Sequence, residues 1–506
     1  MRYILRVLSS RIFNLVLLLI IQIMLLTMFV LLVSKFKIIP TIISYIINFI
    51  ILLIVINRKD NPSYRLLWTM LILLVPYVGG IIYIIFGDKK APKSLTNINI
   101  ISLYNNNILK HKYKINDKDN IDKTISKQFN YIQENIKYPY YKNTNTKYYN
   151  DGESVFKDII EDLKNAKHYI FIEFFIVDNG YLLDTILDIL KEKVKENVLV
   201  YFMYDDAGCV TTLSRYYYKK LRSYGIKCEV FNKLKPRLEI NMNNRNHRKL
   251  IVIDNQIGYM GGFNLADEYI NKKVKYGYWK DNGIKLTGEA VYSMTVMFIQ
   301  FYNAITKDSK IDYNKFNIPT NIISNDIVCP FSDSPTDIED VGHNVHINLI
   351  NNATKYIYIH TPYLILDYTM TQSLILAAKN GIDVIITTPH IPDKKFVFEL
   401  TRYNYLTLLE NGVKIYEFTP GFLHSKTIVC DDNIALIGTI NMDYRSYFLH
   451  YECGVLITSP NTIKTIKQDY IDTLNKSQQI TIQQCKNIGI LRRIYRAILN
   501  VISPLI

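Results

Sequence analysis

No two of the six cysteines (Cys209, Cys228, Cys329, Cys430, Cys453 and Cys485) stand in Cys-x-x-Cys spacing, and none sits near a histidine in a metal-ligand pattern. A zinc site and a disulfide framework are therefore unsupported, and free or buried thiols are expected. Acidic residues are comparatively scarce. The chain has 60 Lys and Arg against 45 Asp and Glu, a net charge of +15. An excess of this sign points to an anionic partner, either nucleic acid or the phosphate surface of a membrane. It is weak support, because a chain rich in Lys, Asn, Ile and Tyr carries extra lysine through composition alone.

Charge is missing altogether from three long stretches, 12–33, 38–56 and 66–86. Each is long enough to cross a hydrocarbon core of about 30 Å. In lipid each backbone polar group must be satisfied within its own segment, so helices are expected. A cleaved signal peptide has a shorter apolar region and leaves the second and third stretches unexplained. Pro76 and the Gly79-Gly80 pair interrupt the third stretch, which is expected to kink or re-enter. Basic residues flank these stretches on both sides in nearly equal number, so they set no orientation. The expected organisation is a transmembrane domain over 1–89, a polar linker over 90–147, a first catalytic half over 148–310 and a second over 311–506.

From about residue 150 the chain repeats itself. Asn165–Ile172 is matched by Asn352–Ile359, Tyr224–Phe231 by Asn411–Phe418, and Trp279–Ile284 by His450–Val455. A unit of this length is a duplicated domain and not a solenoid. Strand-like runs alternate with helical ones, which predicts an α/β fold. Each half is then a mixed sheet flanked by helices, and the halves are related by a pseudo-twofold with equivalent segments at their shared interface.

The strongest pattern is His-x-Lys-x4-Asp-x6-Gly-x2-Asn, present twice: His247, Lys249, Asp254, Gly261, Asn264, and His424, Lys426, Asp431, Gly438, Asn441. Five fixed positions recur by chance roughly once in several million sites, so two unrelated accidents are excluded. Two facing histidines suit phosphodiester chemistry: one attacks phosphorus and the other handles the leaving group's proton. Each ring needs an acceptor on its second nitrogen. The repeat supplies Asp281 for one histidine and Glu452 for the other. Lys249 and Lys426 lie two residues after each histidine, on the same strand face, where they neutralise phosphate oxygens. Asn264 and Asn441 follow glycines that let the backbone come close, and their amides are expected on the phosphate. Asp254 and Asp431 complete the catalytic signature, but their odd offset assigns them to a strand end or turn. His343, His346, His360 and His390 are expected as packing or surface residues, with His360 at a strand end that could border the site.

These residues resemble the phospholipase D superfamily, and within it the bacterial cardiolipin synthases. The likeness rests on Asn244–Lys249, Gly261–Tyr269, Thr361–Tyr363, Pro392–Lys395 and Thr419–Lys426, and Asn61–Gly87 is similar to the family's membrane segment. One departure is Gly262, where serine is usual in the superfamily; cardiolipin synthases commonly carry glycine there. The resemblance implies phospholipase D-like halves and phosphatidyl transfer between two phosphatidylglycerol molecules. The products are cardiolipin and glycerol, with His247 as nucleophile and His424 as acid and base. It implies no cofactor and no metal, because two lysines provide the positive charge. Partners are phosphatidylglycerol and anionic membrane lipids, with no nucleic acid expected. The expected place is the cell membrane, as a multi-pass protein. The signatures leave hydrolysis by a phospholipase D or an anchored nuclease open, and transfer from a CDP-activated lipid as well. A last stretch, Ile490–Ile506, places apolar residues on one face and Arg492, Arg493 and Arg496 away from it. Such a helix can lie in the headgroup layer of an anionic bilayer or pack as an ordinary helix.

Overall fold

The computed structural model describes residues 17, 20, 21, 24, 28, 38–75, 79–87, 100–110, 123–234, 243–306 and 310–505. The first apolar stretch, 12–33, lies almost wholly outside these. The second is a helix with the expected bounds, α1 (Ile38–Ile56). The third is not one helix. It divides into α2 (Pro62–Leu74) and α3 (Gly79–Phe86), with Pro76 between them in sequence. Proline has no N–H to extend a helix, which is why an unbroken span over 66–86 does not form. Among the described residues no helix is long and apolar enough to cross a membrane. The three helices pack as a small unit through Ile51, Val55, Tyr64, Trp68, Ile72 and Tyr83. Gly80 makes that packing possible: its N–H donates to Asn48 Oδ1 at 3.0 Å, and a Cβ there would overlap that side chain.

The segment expected as a polar linker is built into the core. Helices Ile100–Asn105 and Lys123–Tyr131 fall within it, and Leu109, Phe129, Ile132 and Tyr140 are fully buried. Ile125, Phe129, Ile132 and Ile136 recur at helical spacing and join the main hydrophobic cluster. Frequent Asn and Lys between them obscure that stripe. The strand β1 (Thr144–Tyr149) also begins inside the expected linker.

The first sheet runs β1-β9-β7-β6-β2-β3-β4. Its remaining strands are β2 (Tyr169–Phe174), β3 (Leu199–Asp205), β4 (Lys227–Phe231), β6 (Leu250–Ile253), β7 (Ile257–Gly261) and β9 (Gly283–Gly288). Its centre, β6-β2-β3-β4, combines one antiparallel contact with two parallel ones. The side-chain period of two sorts residues between two cores: Ile170, Ile172 and Phe174 enter one cluster, Tyr169 and Phe171 the other. Strands buried on both faces read as continuous apolar runs, as Tyr169–Ile172 does before the buried Glu173. The helix α4 (Val291–Ile305) is buried along nearly its whole length. It lies against β2, β4 and β6, and Phe298 stacks on Phe171 at 4.4 Å between ring centroids.

The second sheet repeats the order. Its main path is β10-β17-β16-β15-β11-β12-β13-β18. The ranges are β10 (Val328–Asp333), β11 (Tyr356–His360), β12 (Asp383–Pro389), β13 (Lys414–Phe418), β15 (Thr427–Cys430), β16 (Ile434–Gly438), β17 (His450–Ile457) and β18 (Ser477–Gln479). Position by position this matches the first sheet, with β18 added at the edge. The α/β fold with two mixed sheets is therefore as expected from the repeat. Two short parallel pairings stitch the halves together. β5 (Arg245–Asn246) lies beside β17, and β8 (Tyr278–Lys280) beside β14 (Gly421–Leu423). The second half also contributes the helices α5 (Lys395–Leu409), α6 (Tyr444–Phe448) and α7 (Ile490–Ile502). The helix α2 docks on this half, with Tyr444 Oη bonded to Ser63 Oγ at 2.9 Å and Asn61 Nδ2 donating to Asp367 at 2.9 Å.

Candidate active site

The stitching strands carry the site. At the end of β5, the His247 N–H donates to the Tyr451 carbonyl at 2.9 Å; at the end of β14, the His424 N–H donates to the Lys280 carbonyl at 2.7 Å. Each histidine is thereby placed beside the carboxylate of the opposite half. His247 Nδ1 lies 2.8 and 3.0 Å from the two oxygens of Glu452. His424 Nδ1 lies 2.7 Å from Asp281 Oδ2. With Nδ1–H donated in this way, each Nε2 keeps a free lone pair. The repeat left open which carboxylate serves which ring; the pairing is crossed.

Flanking residues explain why the first histidine is rigidly held. Arg245 forms an ion pair with Asp205 at 2.6 Å, and Arg248, with no exposed surface, pairs with Glu173 at 2.8 Å. Asn246 Nδ2 donates to the same Glu173 at 2.6 Å. Buried charges require partners of this kind. The residues around His247 are thus pinned from both sides of the strand.

Lys249 and Lys426 are buried, and each folds back so that Nζ donates to the carbonyl of its own histidine, at 2.6 Å for Lys249. Burial brings Lys249 down to about 7 and Lys426 to about 8, against the opposing pull of Glu452 and Asp281. Burial also pushes His247 well below the usual imidazole range, with help from Lys249, His450, Lys426 and His424. His424 is lowered to about 4, by burial first and by Lys426 next. Each histidine feels both lysines, so the four groups share one cationic centre. It holds more positive than negative charge, and an anion entering it would relieve the repulsion.

The asparagines differ. Asn264 accepts from the Ile176 N–H at 3.0 Å and donates to Tyr269 Oη at 2.7 Å, so it braces the loop as well as facing the site. Asn441 is buried with no partner for Oδ1. Asp254 and Asp431 are away from the histidines. Asp254 accepts from the N–H groups of Lys167, His168 and Tyr169, and Asp431 from those of Thr354, Lys355 and Tyr356, all at 2.6–2.8 Å. Each sits at positive φ after its strand and anchors the start of β2 or β11. Their carboxylates tie the sheet together. Of the other histidines, His343 pairs with Asp367 and His390 with Glu417, while His346, bonded to Tyr447, and His360, stacked on Tyr470, line a small cavity with Lys426, so His360 borders the site.

One residue of the site goes beyond the signatures. His450 is buried, 5.2 Å from His247 between ring centroids, with Nδ1 3.6 Å from Glu452 and no hydrogen bond to either ring nitrogen. The repeat contains the signal, because His450 precedes Glu452 by two residues just as Trp279 precedes Asp281. Trp279 lies 5.4 Å from His424, and its Nε1 donates to Asp281 at 3.3 Å. A tryptophan and a histidine share too little for sequence matching to equate their roles.

Comparison with known proteins gives the family. A family model described as cardiolipin synthase, PLD-like domain, matches residues 159–283 and 346–474, and one described as phospholipase D-nuclease N-terminal matches 46–87. A cardiolipin synthase of Staphylococcus aureus (strain Mu50) is 33% identical over 484 residues, covering 92% of this chain and 96% of the relative. One from Halalkalibacterium halodurans is 32% identical, covering 94% of each. The crystal structure of a phosphatidylserine synthase from Haemophilus influenzae shares the fold, with a TM-score of 0.58 at 15% identity over 75% of this chain and 98% of that one.

Proposed function

The chain belongs to the cardiolipin synthases of the phospholipase D superfamily, and on that basis we propose that it joins two phosphatidylglycerol molecules into cardiolipin, releasing glycerol. It is a phosphatidyltransferase acting on phospholipids. Neutral His247 attacks the phosphorus of the first phosphatidylglycerol through Nε2. The bond to the headgroup glycerol breaks, and protonated His424 delivers its proton to the departing oxygen. A phosphohistidine on His247 remains. His424 then takes the proton from a hydroxyl of the second phosphatidylglycerol, whose oxygen attacks phosphorus as the N–P bond breaks. One phosphodiester replaces another, so the exchange is reversible and needs no nucleotide. Lys249 and Lys426 hold the non-bridging oxygens, with Asn264 and Asn441 beside them, and stabilise charge in the transition state.

The crossed pairs His247–Glu452 and His424–Asp281 carry this reading, because they leave two oriented imidazoles in one cationic centre. The catalytic halves are assigned to 148–310 and 311–506. The apolar segments before residue 89 are assigned to membrane anchorage, which keeps the site beside its lipid. Purified full-length protein in phosphatidylglycerol vesicles without nucleotide should yield cardiolipin and glycerol in equal amounts by mass analysis. Phosphatidic acid without cardiolipin would identify a hydrolase instead.

A further inference from the structure

The helix α7 is turned the wrong way for an ordinary packing helix. Its arginines bond back to the protein, and of the three Arg496 alone is buried. Arg492 and Arg496 both hold Glu399 on α5, at 2.5 and 2.7 Å, and Arg493 Nη2 donates to the Lys486 carbonyl at 2.5 Å. Arg496 and Leu499 are buried. The apolar face looks outward: Ile490, Leu491, Ile494 and Ile498 are 67, 80, 50 and 58% exposed. A surface helix of a water-soluble domain does the reverse, hiding its apolar stripe and showing its charges. The arrangement therefore matches the expected amphipathic helix in pattern, with its arginines committed to the protein.

The exposed face is not isolated. The helix α7 and the turn after it pack on α2, and that turn also touches α6, whose Arg445 donates to the Leu505 carbonyl. On α2, Leu66, Leu73 and Leu74 are exposed; on α1, so are Ile42, Ile43, Ile46, Phe49, Ile50 and Ile54. Segments from opposite ends of the chain thus form one apolar surface, far larger than a soluble monomer normally exposes. With Tyr45 and Ile47, which are also exposed, the apolar residues of α1 wrap about 200° of the helix. A protein partner covers one face, whereas a lipid phase covers all. The turn after α7 meets α6, which begins three residues after Asn441 in sequence.

We propose that α7 is a second membrane contact, clamped to the catalytic domain through Glu399, with its outer face in the acyl–headgroup boundary of an anionic bilayer. This rests on the reading of the N-terminal helices as membrane anchors. It adds a rigid contact that fixes the tilt of the active site over the lipid surface.

The test uses the full-length chain. Of the cysteines, Cys485 alone is partly exposed, so a Cys485→Ser background allows a single fluorescent label at Ile494→Cys. In phosphatidylglycerol vesicles with brominated acyl chains, fluorescence at residue 494 should be quenched; a label at Glu192→Cys, which is off the apolar surface, should not be. No quenching at 494 in vesicle-bound protein overturns the proposal. So does energy transfer between labels on different copies without bromine quenching, which would assign the face to self-association. The triple variant Leu491→Asp, Ile494→Asp, Ile498→Asp should lose about tenfold or more of its activity on vesicles and keep it on phosphatidylglycerol in detergent micelles. Equal activity on both would also overturn the proposal. Quenching requires no turnover, so a chain that is quenched but makes no cardiolipin refutes the proposed reaction alone.

Discussion

On one side of the active site, His247 bonds to Glu452, Thr439 Oγ1 donates to the same carboxylate at 2.5 Å, and His450 lies alongside. On the other, His424 bonds to Asp281, which also accepts from Trp279 Nε1 and from the Asn282 N–H at 2.9 Å. The plan is the same; the electrostatics are not. Burial pushes Glu452 well above the usual carboxylate range, with Lys249 opposing it. Burial also acts on Asp281, yet the His424 ring, its hydrogen bond and Lys426 hold that carboxyl below its ordinary value. Burial disfavours the charge on Glu452, so this carboxyl draws His247 less strongly toward imidazolium, and a nucleophile must be neutral. An anionic Asp281 beside His424 favours imidazolium, the form a general acid needs. Burial and Lys426 lower His424, and a phosphate entering the centre adds the negative charge that raises it again. The two sides are thus suited to different halves of one reaction.

The strongest way to break the comparison is to remove each ring. His247→Ala and His424→Ala should each lower cardiolipin formation about 10⁴-fold or more, and the double variant little further, because the pair acts as a unit. A denaturing quench at neutral pH, which spares the acid-labile N–P bond, separates them: labelled phosphate should be retained on protein by His424→Ala and never by His247→Ala. Next come the lysines. Lys249→Met and Lys426→Met should each cost about 10²-fold. Only the charged lysine binds phosphate, and these groups ionise at about 7 and about 8. In the wild type, kcat/KM should therefore fall as pH rises through that window; bound substrate moves the fall in kcat to higher pH. A kcat/KM flat across that range would show that the lysines do not carry the binding charge.

Smaller changes sharpen the comparison. Asp281→Asn removes the anion behind the general acid and should cost about 30-fold, whereas Glu452→Gln removes a carboxyl whose charge burial disfavours and should cost less, about threefold. Equal losses would erase the proposed division of labour. Gly262 and Thr439 occupy equivalent positions. A Cβ on Gly262 would overlap Asp281 Oδ1 and lie 3.0 Å from the His424 carbonyl. Gly262→Ser should therefore cost roughly tenfold by displacing Asp281, while Thr439→Ser keeps its hydroxyl and stays within about twofold. Steady-state assay of the two variants decides this.

Much of the site was legible in the residues. The duplicated signature located both histidines and both lysines, and the repeat found Asp281 and Glu452 through matched position alone. Asp254 and Asp431 were also readable as strand ends from their odd offset. What the sequence hid depends on three-dimensional context. Crossing of the carboxylates is set by β5 against β17 and β8 against β14, pairings between segments about 200 and 140 residues apart, beyond any local pattern. His450 stood in the repeat opposite Trp279, where unlike side chains masked a shared place. The buried stripe Ile125–Phe129–Ile132–Ile136 was diluted by Asn and Lys. The break in the third apolar stretch was signalled by Pro76 and Gly79, but composition could not choose between a kink and a re-entrant segment.

The exchange of carboxylates between the halves bears on how such a chain could arise. A single ancestral half would have had a histidine but no acid of its own to steady it, and could have worked only as a pair of identical copies. Fusion of two copies into one polypeptide removed the requirement that they stay alike. Aspartate and glutamate, tryptophan and histidine, glycine and threonine at matched places record that freedom.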